Sequence, residues 1–86
     1  MGMNEDIQKA IESGNIVIGY RESIKSLKSG EIKSVIISNN IPDNMKKDIE
    51  HNAKISGAEI KVFEGSSKDL GTVCGKPFSV TILAIK

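Results

Sequence analysis

The chain has 86 residues, with 12 lysine and arginine side chains, 11 aspartate and glutamate side chains, and a formal net charge of +1. This length predicts one domain and excludes a catalytic domain joined to a regulatory one. The near-neutral charge excludes global attraction as the means of binding a polyanion, so contact with nucleic acid would need locally placed cations. With only three aromatic residues, a stacking platform of several rings is excluded.

Cysteine content and hydropathy limit the cellular setting. The single cysteine, Cys74, cannot form an intramolecular disulfide and suits a reducing compartment such as the cytoplasm. The sequence has no apolar run near 18 residues and no signal-peptide pattern, so we expect no membrane partner. Met1-Gly2-Met3 could be a cloning remnant ahead of a native start at Met3, and residues 1–3 are expected to be disordered or cloning-derived.

Apolar spacing and glycine positions predict eight elements along a single domain of residues 1–86. Helices are expected at about 4–13, 20–29, 42–56 and from 66 onward, and strands at about 15–19, 35–37, 60–63 and 80–85. Pro42 fits the first turn of the third helix. Ser66 and Asp69 resemble a capping box on the fourth helix, which Gly71 and Gly75 are expected to keep short.

The order of these elements predicts the fold class. Helices alternate with strands, which is typical of an α/β layered fold. The strands are apolar at consecutive positions, so both faces of the sheet are expected to be covered by helices. We therefore predict four strands, mostly sandwiched between four helices, while the pattern leaves the order of the strands open.

The segment after the first strand is the strongest candidate site. Gly19 allows a sharp turn into the second helix. Tyr20, Ile24 and Leu27 form an apolar stripe on that helix. Arg21, Lys25 and Lys28 have the same spacing, shifted by one residue, and form a cationic stripe beside it. A strand, a glycine turn and a basic helix start suit a polyanion, and Glu22 could accept hydrogen bonds from a guanine edge. The pattern also fits a solvated amphipathic helix whose Glu22 favours the N-terminus.

Other candidates are weaker on pattern alone. Asn39 and Asn40 follow a strand and could bond bases, but asparagine is also an ordinary turn and cap residue. Phe78 could stack on an unpaired base, although its pattern favours the core. Cys74 has no evident base beside it and is expected to be a small buried residue.

Catalytic and metal-binding motifs are not supported by the sequence. The segment 71–76 departs from a P-loop because only three residues separate its glycines and Pro77 follows the lysine. His51 is the only histidine and is expected to be exposed, so a zinc site is not expected. We expect no enzyme, no cofactor and no metal.

The motif order carries a family resemblance over about residues 6–85. A strand, Gly-Tyr-basic, a basic helix, Asn-x-Pro, and Glu-Gly-Ser-Ser-x-Asp-Leu-Gly-Thr-x-x-Gly resemble the ribosomal L thirty-e proteins of archaea and eukaryotes, a branch of the L seven-Ae kink-turn-binding superfamily. The resemblance implies a three-layer α/β/α sandwich with a four-stranded mixed sheet. It also implies an archaeal-type protein of the large ribosomal subunit in the cytoplasm. Such a protein would bind a kink-turn or internal-loop RNA through three adjacent loops and be a monomer when free.

The resemblance, together with the cationic stripe, gives ten expected RNA-binding residues. These are Gly19, Tyr20, Arg21, Glu22, Lys25, Lys28, Asn40, Gly75, Lys76 and Phe78. The broader superfamily has Asn-Glu where this chain has Arg21-Glu22, a pattern that suits the L thirty-e branch. Two alternatives stay open: a kink-turn protein of another ribonucleoprotein, such as a guide-RNA or ribonuclease P particle, and a protein-interaction module without RNA affinity.

Overall fold

A computed structural model describes the backbone of residues 3–86 and the side chains of residues 5–86. Its elements, in chain order, are α1 (Met3–Ser13), β1 (Ile16–Ile18), α2 (Tyr20–Lys28), β2 (Ser34–Ile37), α3 (Asp43–Ser56), β3 (Glu59–Val62), α4 (Ser67–Val73) and β4 (Ile82–Ile85). The expectation for Met1 and Gly2 lies outside the described residues, and Met3 is the first residue of α1. Within the described chain, no helix has the length and apolar character needed to cross a membrane.

The four strands form one mixed sheet in the order β1-β4-β2-β3. β2 and β3 are parallel, whereas β4 runs antiparallel to both β1 and β2. In this register Ile18 pairs with Leu83, and Ile37 pairs with Ile82. The carboxyl ends of β1, β2 and β3 therefore lie beside the amino end of β4, at an edge of the sheet that we call the loop end.

Two apolar cores cover the two faces of the sheet. Consecutive residues of a strand point to opposite faces, and accordingly Val35 and Ile37 belong to one core while Ile36 belongs to the other. The first core lies under α2 and α3, with Leu27 and Ile49 fully buried; the second lies under α1 and α4, around Ile7 and Leu70. The predicted α/β/α sandwich with a mixed sheet is confirmed.

The helix ends refine three expectations. The capping box of α4 is present: Ser66 Oγ accepts from the Asp69 N–H, and Asp69 Oδ2 accepts from the Ser66 N–H at 3.2 Å. Pro42 is the N-cap of α3, one position before the first turn where we expected it, because its ψ of 142° is still extended. Gly71 lies inside α4, and the helix continues past it to Val73, so this glycine does not end the helix.

Candidate nucleic-acid interface

Three connections meet at the loop end: β1 to α2 at Gly19, β2 to α3 over residues 38–42, and α4 to β4 over residues 74–81. Backbone hydrogen bonds hold them together. The Gly19 N–H donates to the Ile82 carbonyl at 3.1 Å, and the Ser38 N–H donates to the Thr81 carbonyl at 2.9 Å. Because β4 lies between β1 and β2, its first residues fix the other two connections on either side.

Gly19 lets α2 begin directly after β1. Its φ of +111° lies in a region that L side chains rarely adopt, and it forms the N-cap of α2. The first turn of α2 consequently faces the loop end and carries Arg21 and Glu22, both exposed. Within residues 5–86, neither side chain takes part in an ion pair. The turn therefore offers a cation, a carboxylate and the positive end of a helix to a ligand.

Tyr20 joins α2 to α3. Its hydroxyl donates to Asp48 Oδ2 at 2.8 Å, and its ring packs against the first core. The hydrogen bond to Asp48 raises the pKa of the Tyr20 phenol above its ordinary value of 10.0, and desolvation acts in the same direction. Tyr20 thus has a structural partner for its polar end, while the rest of the ring lines a groove at the loop end.

This groove has a volume of about 420 Å³ and lies between the start of α2 and the connection from α4 to β4. Gly19 and Tyr20 form one side, and Lys76 and Phe78 belong to the other. Phe78 is 56% exposed, so the pattern-based expectation that it fills the core is wrong. Val80 enters the second core in its place, at 2% exposure, which leaves the aromatic ring at the surface.

Asn40 links the second connection to α4. Its Oδ1 accepts from the Ser67 N–H at 3.0 Å, at the first residue of that helix. The neighbouring Asn39 N–H donates to the Gly65 carbonyl at 3.0 Å. The side-chain oxygen of Asn40 therefore accepts one hydrogen bond within the protein, and its amide nitrogen has no hydrogen-bond partner in the described part of the chain. Asn40 can offer its amide N–H donors to a base edge, and Oδ1 keeps a second lone pair.

Gly71 is a residue of this site whose role the sequence did not predict. A Cβ at this position would lie 2.1 Å from the Phe78 carbonyl oxygen, a distance that no side chain tolerates. The Lys76 N–H also donates to the Gly71 carbonyl at 2.9 Å. The connection from α4 to β4 folds back across this glycine, and the close approach places Lys76 and Phe78. The sequence did offer one signal. Glycine is unfavourable inside a helix, so a glycine in a helical segment suggests that packing leaves no room for a side chain.

The remaining cations of α2 lie along the helix. Lys25 and Lys28 are both exposed, and both are in the last turn. At the usual rise of a helix, Lys28 is roughly 12 Å beyond Tyr20 along the axis. The structure thus brings together the first turn of α2, Asn40 and the segment 75–78 at the loop end, and places Lys28 at the opposite end of α2.

Comparison with known proteins gives the family. The sequence matches the ribosomal protein L7Ae/L30e/S12e/Gadd45 family over residues 1–86. The chain belongs to this family. A large ribosomal subunit protein eL30 from Methanothermobacter thermautotrophicus is 43% identical over 86 residues, covering 100% of this chain and 88% of that protein. Another, from Sulfolobus acidocaldarius, is 36% identical over 80 residues, covering 93% of this chain and 77% of that protein. The expected resemblance is confirmed.

A solved structure supports the fold of this family member. The structure of a protein with unknown function from Bacillus halodurans C superimposes with a TM-score of 0.84, covering 93% of this chain and 79% of that chain. Its sequence identity is 21%, so the likeness concerns the fold alone.

Two further residues of this family member were assigned from the sequence. Cys74 is buried, as expected, and burial raises the pKa of its thiol although the charge of Lys76 opposes the rise. A thiol held in its neutral form is a poor nucleophile. His51 is exposed, as expected. Across the described residues, no group of three or more His, Cys, Asp or Glu side chains could hold a metal ion.

Proposed function

We propose that this chain is a structural protein of the large ribosomal subunit that binds RNA through its loop end, in the ribosome of the cytoplasm, and has no catalytic role. Its similarity to archaeal proteins named large ribosomal subunit protein eL30, at 43% and 36% identity, supports the assignment. The observation that carries the RNA-binding surface is the meeting of three connections at one end of the sheet. There, backbone hydrogen bonds from Gly19 to Ile82 and from Ser38 to Thr81 join the start of α2 and the connection that carries Asn40 to the connection that carries the exposed Phe78.

Each group at the loop end suits one feature of RNA. The start of α2, with Arg21 and further along Lys25, attracts phosphates, as does Lys76 across the groove. The Glu22 carboxylate can accept from the Watson–Crick edge of a guanine, and the Asn40 amide nitrogen can donate to a base. The Phe78 ring can stack on an unpaired base, an interaction worth about 1–3 kcal/mol.

These groups together favour a bent, internally looped RNA over a plain duplex. In a regular A-form helix the bases are stacked and paired, so Phe78 and Glu22 would find no free base face or edge. A kink-turn or internal loop exposes such bases. Binding therefore favours the bent form in proportion to the difference in affinity between the bent and straight forms. The protein acts as a clamp on RNA shape.

A mobility-shift titration tests this function. We expect the protein to bind a kink-turn RNA more tightly than a duplex of matched length, with an affinity that falls as salt rises. Arg21→Gln should weaken binding, whereas Lys54→Gln, which removes one exposed cation from the last turn of α3, should leave it unchanged. An affinity that does not change with salt would instead favour a protein-interaction module, and equal affinity for both RNAs would refute the preference for bent RNA.

A further inference from the structure

A second groove lies at the end of the sheet opposite the loop end. It has a volume of about 310 Å³, and four lysines line it: Lys9, Lys33, Lys61 and Lys86. We call it the lysine groove. It lies where β2 begins and β4 ends, and Asn15, just before β1, is also part of its lining. The strands between the two ends are three or four residues long, so the lysine groove and the loop end are separated by roughly 10–13 Å of sheet.

The backbone fixes two of these lysines side by side. Lys33 immediately precedes β2 and Lys86 immediately follows β4, and these two strands are antiparallel neighbours. The Lys33 N–H donates to the Ile85 carbonyl at 2.8 Å, and the Lys86 N–H donates to the Asn15 carbonyl at 2.9 Å. Both side chains therefore start from positions held by the sheet, and both are exposed.

The other two lysines complete the groove from the side of α1. Lys61 pairs in register with Ile36, whose side chain lies in the core under α1, and Lys61 Nζ lies 3.7 Å from Asp6 Oδ2 of α1. Lys9 is three residues after Asp6, a spacing that places both side chains on one face of the helix. The groove thus has cations on α1, on β3 and at the ends of β2 and β4.

The lysine groove holds more cations than anions. Its lining contains four lysines and one acidic residue, Asp6. Two further carboxylates belong to the same end of the sheet: Glu31 Oε2 lies 3.9 Å from Lys86 Nζ, and Glu59 pairs with Ser34 in the register of β2 and β3. Four cations therefore face three anions here, and a polyanion entering the groove meets a local excess of positive charge.

The contacts that these lysines already make can be exchanged. The Lys61–Asp6 pair has side chains 33% and 53% exposed, and Lys86 lies 3.9 Å from Glu31 with side chains 44% and 61% exposed. Exposed ion pairs contribute little to stability, so a phosphate could replace the carboxylate at small cost. Lys9 and Lys33 have no ion-pair partner within residues 5–86.

The lining also indicates the kind of polyanion. Its apolar members are Ala10 and Ile85, and no aromatic side chain takes part. A protein partner would need a buried apolar or aromatic anchor at the centre of its interface, and this groove offers none. Base stacking likewise has no platform. Lysines without rings bind the sugar–phosphate backbone, which is how a double-stranded RNA segment is recognised.

We propose that the lysine groove binds the phosphate backbone of a second RNA segment, so that the protein joins two RNA segments at opposite ends of its sheet. This role goes beyond the proposed clamp at the loop end and uses none of its residues. In a molecule of 29 × 28 × 23 Å, the two bound segments would lie a single domain apart.

A two-RNA titration tests the proposal. The protein is saturated with kink-turn RNA and titrated with a fluorescent RNA duplex of about 16 base pairs, over salt concentrations of about 50–200 mM. We expect the complex to take up the duplex without releasing the first RNA. Lys9→Gln/Lys33→Gln, which breaks no ion pair, should weaken duplex binding about tenfold and lower the salt slope by about 2. Its affinity for the kink-turn RNA should stay within about twofold.

A matched control removes the same charge elsewhere. Lys47→Gln/Lys54→Gln changes two exposed lysines of α3 and should leave duplex uptake unchanged. Equal losses in both double variants, or release of the kink-turn RNA by the duplex, would overturn the proposal. So would capture of an acidic poly-glutamate peptide by the groove in place of the duplex. Titrating RNA-free Arg21→Gln protein with the duplex tests the groove even if the kink-turn RNA does not bind.

Discussion

Replacing Gly71 by alanine tests whether close packing of the last connection positions the RNA-binding groups. The new Cβ would lie 2.1 Å from the Phe78 carbonyl oxygen, so that backbone has to move by roughly 1 Å. Overpacking of this kind costs about 2 kcal/mol, and the better helix propensity of alanine returns about 1 kcal/mol. The net loss of about 1 kcal/mol should lower Tm by about 4–8 °C.

The larger effect of Gly71→Ala should appear in RNA binding. Moving the Phe78 backbone shifts the ring away from its stacking position, and losing even the weakest stacking interaction, about 1 kcal/mol, lowers affinity about fivefold. Gly57→Ala is the control: it places a side chain at a φ of +76° with no atom within 4 Å, at the far end of α3. It should cost about 1 kcal/mol of stability without changing RNA affinity. If both variants bound kink-turn RNA like the original protein, the close approach at Gly71 would not set the site.

Three further predictions concern single side chains. Phe78→Ala should weaken binding of kink-turn RNA while changing Tm little, because the ring is 56% exposed; a large fall in Tm with unchanged affinity would assign the ring to the core. Glu22→Ala should weaken kink-turn binding more than duplex binding in parallel titrations, and equal losses would remove its role in base recognition. Tyr20, the only tyrosine, has a raised pKa in the folded state through its hydrogen bond to Asp48, so its contribution to the free energy of unfolding is complete below pH 10 and is lost as pH rises above it. Urea titrations below and above pH 10 should show that the free energy of unfolding falls less with pH in Tyr20→Phe than in the original protein. An equal fall in both proteins would mean that the hydrogen bond does not stabilise the fold.

The sequence determined the elements because their signals are local. Apolar residues at consecutive positions of each strand, helical spacing between them, and glycines after α1, α2 and α3 predicted the bounds to within two residues, except the end of α4, which was predicted only to come early. Strands apolar on both faces require cover on both faces, so the layered architecture followed as well. The capping box at Ser66 and Asp69 was predictable for the same reason, since it involves residues three positions apart.

The tertiary structure decided which of these elements are neighbours, and with that the sites. Inserting β4 between β1 and β2 places the connection carrying Phe78 beside Gly19 and, at the opposite end, sets Lys86 beside Lys33. The chain reverses direction over α4, and the periodicity of the sequence does not encode this reversal. It decides that Val80 and not Phe78 fills the core, and it leaves no room for a side chain at position 71. The hydrophobic pattern of a segment fixes which of its faces is buried, whereas contacts between segments distant in sequence depend on how all the buried faces pack at once.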